Sequence, residues 1–274
     1  MSEQTILITG ATDGHGRALA HELARRGASL LLHGRDDERG AALLNEIKDR
    51  TGNDRLTFLR ADFASLDEVR ALAERVLQDE ERLDALVNNA GIGTNLPGEG
   101  ERLESMDGYE LRFAVNYLAG YLLTRMLVPL LVRSAPARIV NVSSAGQAAI
   151  DFDDVMLERH YDGFQAYAQS KLAQVMFTFD LADELADSGV TATCLHPATF
   201  MPTKMVRAAG ATPASSLEEG MEATLRLVVD PELDSVTGQY FNGMRATEPH
   251  PQARDPDARR RLRELSDRLT RRPV

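Results

Sequence analysis

A phenol and an ammonium stand four residues apart in Tyr167-Ala168-Gln169-Ser170-Lys171. They head a run whose apolar positions include Leu172, Val175, Met176, Phe179 and Leu185. On a helix this spacing turns both side chains into the same space. A free phenol ionises near pH ~10 and is a poor acid–base group at neutrality. A cation held beside it favours the phenolate and brings it toward the working range. The pair is therefore suited to proton transfer. The same spacing also occurs on solvated helices, so the rest of the chain has to decide.

Other residues could gather a nucleotide around the pair. Thr9-Gly10-Ala11-Thr12-Asp13-Gly14-His15-Gly16 lies between an apolar run and a helical period. Glycines there let the backbone approach a pyrophosphate, which the helix N-terminus stabilises. The second apolar run ends in His33-Gly34-Arg35-Asp36. Gly34 stands where a carboxylate would accept from a free ribose, and Arg35 could pair with a 2′-phosphate. This favours NADP(H) over NAD(H), although Asp36 or Asp37 turned inward would serve NAD(H). Asp62 could accept from the adenine amino group, with the Phe63 backbone meeting the ring. Asn88-Asn89-Ala90-Gly91 ends the fourth run and allows a close backbone approach. Asn116 is an amide among Phe113, Val115 and Leu118, and a buried amide needs partners: the helix interface, or a water reaching Lys171. Ser143 and Ser144 close the fifth run, where a hydroxyl could bond a substrate oxygen. His196 has no metal-ligand spacing after it, so no metal centre is expected.

Apolar patterning supplies the elements that must position these groups. Strands are predicted at Thr5 to Thr9, Ser29 to His33, Arg55 to Arg60, Leu83 to Asn88, Ala137 to Val142, Val190 to His196 and Gly238 to Phe241. Helical periods lie at 14–27, 36–50, 66–79, 107–134, 163–188 and 216–229, with a kink expected at Pro129. Alternation of this kind implies an α/β fold, a doubly wound parallel sheet with helices on both faces. Without a repeat or a linker, residues 1–274 read as one domain.

The chain has 274 residues, 43% of them hydrophobic, enough for a large core. Its net charge of −11 disfavours nucleic acid and anionic membrane surfaces as partners. The single cysteine, Cys194, cannot form an internal disulfide and suits a reducing compartment. Met1 to Gln4 carries no targeting pattern. Phe113 to Val132 is interrupted by Asn116, Thr124 and Arg125, which reads as a buried helix rather than a membrane span. The expected location is the cytoplasm. The tail from Pro256, with Arg259, Arg260, Arg261, Arg263 and Arg268 interleaved with Glu264 and Asp267, reads as a solvated helix.

In this order, Thr9 to Gly16, Asn88 to Gly91, Ser144 and Tyr167 to Lys171 resemble the short-chain dehydrogenase/reductase superfamily along nearly the whole chain, most of all its retinol-dehydrogenase-like branch and related bacterial oxidoreductases. The resemblance implies a Rossmann-type sheet of about seven strands in the order 3-2-1-4-5-6-7. It implies that Tyr167 is the general acid or base and that Lys171 lowers its pKa and holds the nicotinamide ribose. Ser144 would polarise the carbonyl, Ser143 remaining possible, and Asn116 would complete a water-linked relay. The implied cofactor contacts are Gly10, Thr12, Asp13, Gly14, His15, Gly16, Arg35, Asp62, Phe63, Asn89, Ala90, Gly91, Tyr167, Lys171, Pro197 and Thr199 or Thr203.

The chain departs from the pattern at several places. His15 replaces an aliphatic residue and makes the nicotinamide wall more polar. Asp13 stands where some NADP-preferring members carry a base, Ala198 replaces a glycine, and Thr203 lies one place late. Residues 197–215 are expected to form a substrate lid, with Phe200, Met201, Met205 and Val206 as apolar lining, and 245–274 a C-terminal extension. The expected protein is a homodimer or homotetramer built on helices 107–134 and 163–188. It is expected to act on a hydrophobic alcohol or carbonyl with NADP(H). The rivals are an NAD(H)-dependent alcohol dehydrogenase and a non-catalytic dinucleotide sensor.

Overall fold

In a computed structural model, residues 4–94, 101–208 and 210–271 are described. Residue 209 of the expected lid and residues 272–274 of the extension lie outside them. One sheet orders its strands β3-β2-β1-β4-β5-β6-β7-β8. Seven are parallel: β1 (Thr5–Ile8), β2 (Ser29–Gly34), β3 (Leu56–Arg60), β4 (Ala85–Asn88), β5 (Ala137–Val142), β6 (Val190–His196) and β7 (Gln239–Asn242). The expected order holds, and the short, exposed β8 (Arg245–Thr247) is added antiparallel to β7. Three exposed residues carry no hydrophobic period, so sequence patterning has nothing to detect there.

Continuous apolar strands are buried on both faces, as parallel sheets require. One face packs under α1 (Gly14–Arg25), α2 (Asp37–Thr51) and α7 (Leu217–Val229) around Ile6, Ile8, Leu19, Leu32 and Ala223. The other packs under α3 (Leu66–Asp79), α4 (Leu111–Arg133) and α5 (Gly163–Glu184) around Leu7, Leu86, Tyr117, Leu127 and Met176. Side-chain caps set the starts: Asp13 for α1, Asp36 for α2, Ser65 for α3, Asp162 for α5, and a Ser216–Glu219 capping box for α7.

The helix expected at 107–134 begins at Leu111 and contains a π-helical turn, Ala114–Leu118, centred on Asn116. It then continues through Pro129 to Arg133. By length and composition it is the one helix among the described residues able to cross a membrane, and 61% of its most apolar window is buried inside the protein.

The tail helix α8 (Pro256–Thr270) is not solvated all round. Ala258, Leu262 and Ser266 recur every four residues and are buried. The Tyr117 hydroxyl meets Ser266 Oγ at 2.7 Å, Tyr121 donates to Asp267 at 2.6 Å, and Arg259 and Arg263 reach Asp180 of α5. α8 thus covers part of the outer face of α4 and α5, where association between copies was expected. Its dense charge masks a narrow stripe of small and apolar residues.

Candidate active site

The carboxyl ends of β1 and β4 are joined first. Gly10 and Gly14 take φ of +65° and +50°, the left-handed region that favours glycine. A methyl on Gly10 would lie 2.8 Å from Ala90 Cα, so the two strand-end turns touch. Asn89 Nδ2 donates to Thr9 O at 2.8 Å and Gly10 O at 3.2 Å, while Thr9 Oγ1 accepts from the Asn89 and Ala90 amides at 2.9 Å each. A methyl on Gly91 would meet Asn116 Oδ1 at 3.2 Å and Lys171 Nζ at 3.5 Å, which places this turn on the catalytic candidates.

His15 departs from its expected role. Its ring is buried between Asn89 Oδ1 at 2.9 Å, Gly220 O at 3.0 Å and Thr224 Oγ1 at 3.0 Å. It ties the glycine turn to α7 instead of forming a wall beneath a nicotinamide. Burial also disfavours its charged form. His33, not singled out from sequence, accepts from the Gly10 amide at 3.2 Å, contacts Ala61 O at 3.0 Å and stacks on Phe63 at 4.1 Å. Burial pushes its pKa down to about 4, so it is a neutral pillar under the turn.

At the end of β2, Arg35 is exposed and makes no ion pair among the described residues. Asp36 accepts from Arg39 N at 3.0 Å as the α2 cap, and Asp37 points outward. Asp13 accepts from Arg39 at 2.9 Å and from Lys204 at 2.9 Å, and these bonds hold its carboxyl below the usual range against burial. It therefore joins the glycine turn to α2 and to the short helix α6 (Lys204–Ala208). Thr12 contributes its carbonyl to Arg39. Asp62 accepts from Ala64 N at 2.9 Å, and its own amide donates to Glu68.

The fifth strand delivers the serines and α5 the rest. The Ser144 hydroxyl lies beside the Tyr167 phenol and accepts from Gly146 N at 3.0 Å. Ser143 instead donates to Lys171 O at 2.8 Å. Lys171 is buried with its ammonium 5.7 Å from the Tyr167 ring centroid. The ammonium donates to Val142 O at 3.1 Å and to Gln174 Oε1 at 3.0 Å. Desolvation pushes it down to about 7. Desolvation also raises the Tyr167 phenol, offset in part by Ser144. A phenol pulled down by its lysine is thus not what the protein holds by itself. The charge that would lower it is engaged by backbone and amide acceptors.

Asn116 sits in the π turn, where its Oδ1 accepts from Ile92 N at 2.7 Å. Its Nδ2 donates to Ile92 O at 3.1 Å and Ser170 Oγ at 3.0 Å. Its side chain clamps the β4 turn to α5. Of the two threonines, Thr203 lies against Gly14, its Cγ2 3.1 Å from where a methyl would be. Thr199 is bonded to His196 at 3.0 Å, and Pro197 leads into that turn. Met201 packs on Gly220, Met205 on Gly93, and Phe200 is exposed with φ +48°.

Sequence reading missed Gln174, His33, Arg39 and Lys204. Gln174 carried a usable signal, an amide one turn beyond Lys171 on the same face. Arg39 and Lys204 carried none, because their common partner Asp13 is distant in sequence.

The sequence model of the family described as short chain dehydrogenase matches residues 4–214. Retinol dehydrogenase 13 of Mus musculus is 38% identical, with 97% of this chain and 83% of that protein aligned. Human retinol dehydrogenase 14 is 36% identical over 97% and 86% of the two chains. Among solved structures, an uncharacterised protein from Mycobacterium paratuberculosis superposes with a TM-score of 0.79 at 29% identity, covering 99% of this chain and 96% of its own. An Escherichia coli CFT073 short chain dehydrogenase complexed with NADPH gives 0.70 at 28% identity, covering 89% and 97%. With the glycine turn, the sewn Asn89 turn and the Ser144–Tyr167–Lys171 cluster on one sheet edge, these matches mean that the chain belongs to the short chain dehydrogenase family of oxidoreductases.

Proposed function

We propose that the protein is an NADP(H)-dependent oxidoreductase that moves a hydride between the nicotinamide and a hydrophobic alcohol or its carbonyl counterpart. The observation that carries this reading is the placement of Ser144 beside Tyr167 at the sheet's carboxyl edge, with Lys171 below the phenol. The residues fit a dinucleotide. The glycine turn opens α1, whose N-terminus suits a pyrophosphate. Lys171 spends two of its three ammonium donors on Val142 and Gln174, leaving one for a ribose hydroxyl. When bound, the cofactor supplies or accepts the hydride.

The chain's own residues manage the proton. Burial keeps the Tyr167 phenol protonated, the form that donates to a carbonyl oxygen during reduction. Ser144 holds the substrate oxygen against that phenol, and Lys171 stabilises the phenolate left behind. In oxidation the phenolate takes the alcohol proton. Thr203, lying on Gly14, is the better placed threonine for a cofactor contact than Thr199.

NADP(H) is preferred because Arg35 stands exposed while Asp36 is committed to its cap. The relative crystallised with NADPH supports the same choice. The retinol dehydrogenases are named for a hydrophobic alcohol, which supports that substrate class. One domain with a 197–215 lid and a cytoplasmic location, suited to the single buried thiol Cys194, complete the proposal.

Tyr167→Phe is expected to lower kcat by roughly 10²–10⁴-fold. The readout is nicotinamide absorbance with an aldehyde and ketone panel, and an unchanged kcat overturns the proposal. Fluorescence titration should show NADPH bound more tightly than NADH. Arg35→Ala should weaken NADPH by roughly tenfold or more and spare NADH; tighter NADH binding by the parent refutes the preference.

The folded protein titrates Lys171 at about 7, whereas the unfolded chain does so near ~10.4. Folding therefore releases a proton between these values, so this group's contribution to stability is lowest below pH 7 and rises toward pH ~10. In urea titrations the parent should gain on Lys171→Met as pH is raised through that window, and a constant difference would contradict the burial. Association into a dimer or tetramer has to use the part of α4 and α5 that α8 leaves open. A light-scattering mass of one chain, 30.1 kDa, refutes it.

A further inference from the structure

The buried lysine has a neighbour with no established task. Gln174 lies one turn beyond Lys171 on α5 and is 5% exposed. Lysine only donates, so the amide must present its oxygen, and Gln174 Oε1 accepts from Nζ at 3.0 Å. Behind it a line of polar groups crosses the apolar core. Thr178 Oγ1 donates to Gln174 O at 2.7 Å, Asn141 Nδ2 to Thr178 Oγ1 at 2.8 Å, and Asn88 Nδ2 to Asn141 Oδ1 and Thr124 Oγ1 at 2.8 Å each. These five residues are at most 5% exposed and span α5, β5, β4 and α4. Polar groups in such a place cost stability unless they are bonded, and the core on this face of the sheet is otherwise filled by residues such as Leu172, Val175, Ile139 and Leu127. The line's one chemically active terminus is Lys171.

We infer that Gln174 is a positioning residue for the reaction: its side-chain oxygen holds the Lys171 ammonium under the crevice, and the Thr178–Asn141–Asn88 line anchors the helix backbone that carries it. The inference rests on the reading of Lys171 as partner of Tyr167. The acceptor favours the charged amine against the desolvation that disfavours it. The titratable groups facing Lys171 are Tyr167 on its own helix and His196 on β6, whose charged form Lys171 disfavours. Cys194 on β6 and Tyr240 on β7 lie beyond, the thiol donating to Gln239 O at 3.7 Å and the Tyr240 hydroxyl to Ser144 O at 3.0 Å. None of these is a carboxylate. A neutral amide therefore tunes the amine without fixing it as an ion pair.

The test reads the amine directly in the full chain without cofactor. The sequence has three lysines, Lys48, Lys171 and Lys204, so ¹³Cε-lysine NMR resolves each, with Lys171→Met assigning the signal. Gln174→Leu should move the Lys171 midpoint down, and Gln174→Glu, nearly the same shape, should move it up, each by roughly one pH unit, a tenfold change in protonation. Where Gln174→Leu does not fold, Gln174→Asn, one methylene shorter, takes its place and should also move it down. The matching limb of the kcat–pH profile should shift with each midpoint while KM for substrate stays within about twofold. Midpoints that stay put, or that move the same way in both variants, overturn the inference. The two readings fail separately. Opposed midpoints with a fully active Tyr167→Phe sink the functional proposal alone, and static midpoints with an inactive Tyr167→Phe sink the role of Gln174 alone.

Discussion

A buried ammonium is what the site's construction has to accommodate. Taking Lys171 out of water is costly, and the cost is met by acceptors supplied from two directions. Val142 O comes from the end of β5, and Gln174 Oε1 comes from the same helix as the lysine. Ser143 adds a further tie by bonding the lysine's carbonyl, so strand end and helix are fastened at two points. That fastening leaves the next residue, Ser144, facing Tyr167. The serine pair thus divides its work: one hydroxyl secures the helix and the other meets the phenol.

The parallel sheet makes this economical. Strands that run the same way deliver their carboxyl ends to one edge, so β1, β4 and β5 bring a glycine turn, an amide turn and a serine to one crevice. Residues far apart in sequence then brace one another. Asn89 sews the glycine turn to β4, Asn116 sews the following residues to α5, and His15 sews α1 to α7. Each is a polar side chain engaged by backbone and side-chain partners together, which rigidifies the crevice floor without adding reactive groups to it.

What the sequence made legible divides along the same physical line. Tyr167 with Lys171, the glycine turn and the limits of α3 at 66–79 are short-range patterns, fixed by helical spacing and turn chemistry within a few residues. The direction of His15 is different, because a ring between two glycines can face the crevice or the core. It is settled only by Gly220 and Thr224, about 200 residues away. The Tyr167 ionisation fails for a related reason. Spacing announces a nearby cation, but the sign of the shift depends on how much water each group loses and on which acceptors have already taken the cation. The buried stripe of α8 was hidden because arginines at neighbouring positions dominate its composition, while the decisive residues, Ala258, Leu262 and Ser266, are small or few.

The charges over the cofactor side follow from the cost of rearrangement. Arg39 and Lys204 both lie near Asp13, and exposed pairs of this kind are each worth little. Together they still set an order of availability. A phosphate drawing on Arg39 would have to displace a carboxylate at 2.9 Å and the Thr12 carbonyl at 3.1 Å. Drawing on Lys204 would loosen the one ion pair that joins α6 to the glycine turn among the described residues. Arg35 gives up no such partner, so it is the cation whose recruitment costs least. The acidic residue that at first weakens an NADP(H) assignment, Asp13, therefore occupies two competing cations and leaves Arg35 as the exposed one on which the proposed NADP(H) preference rests.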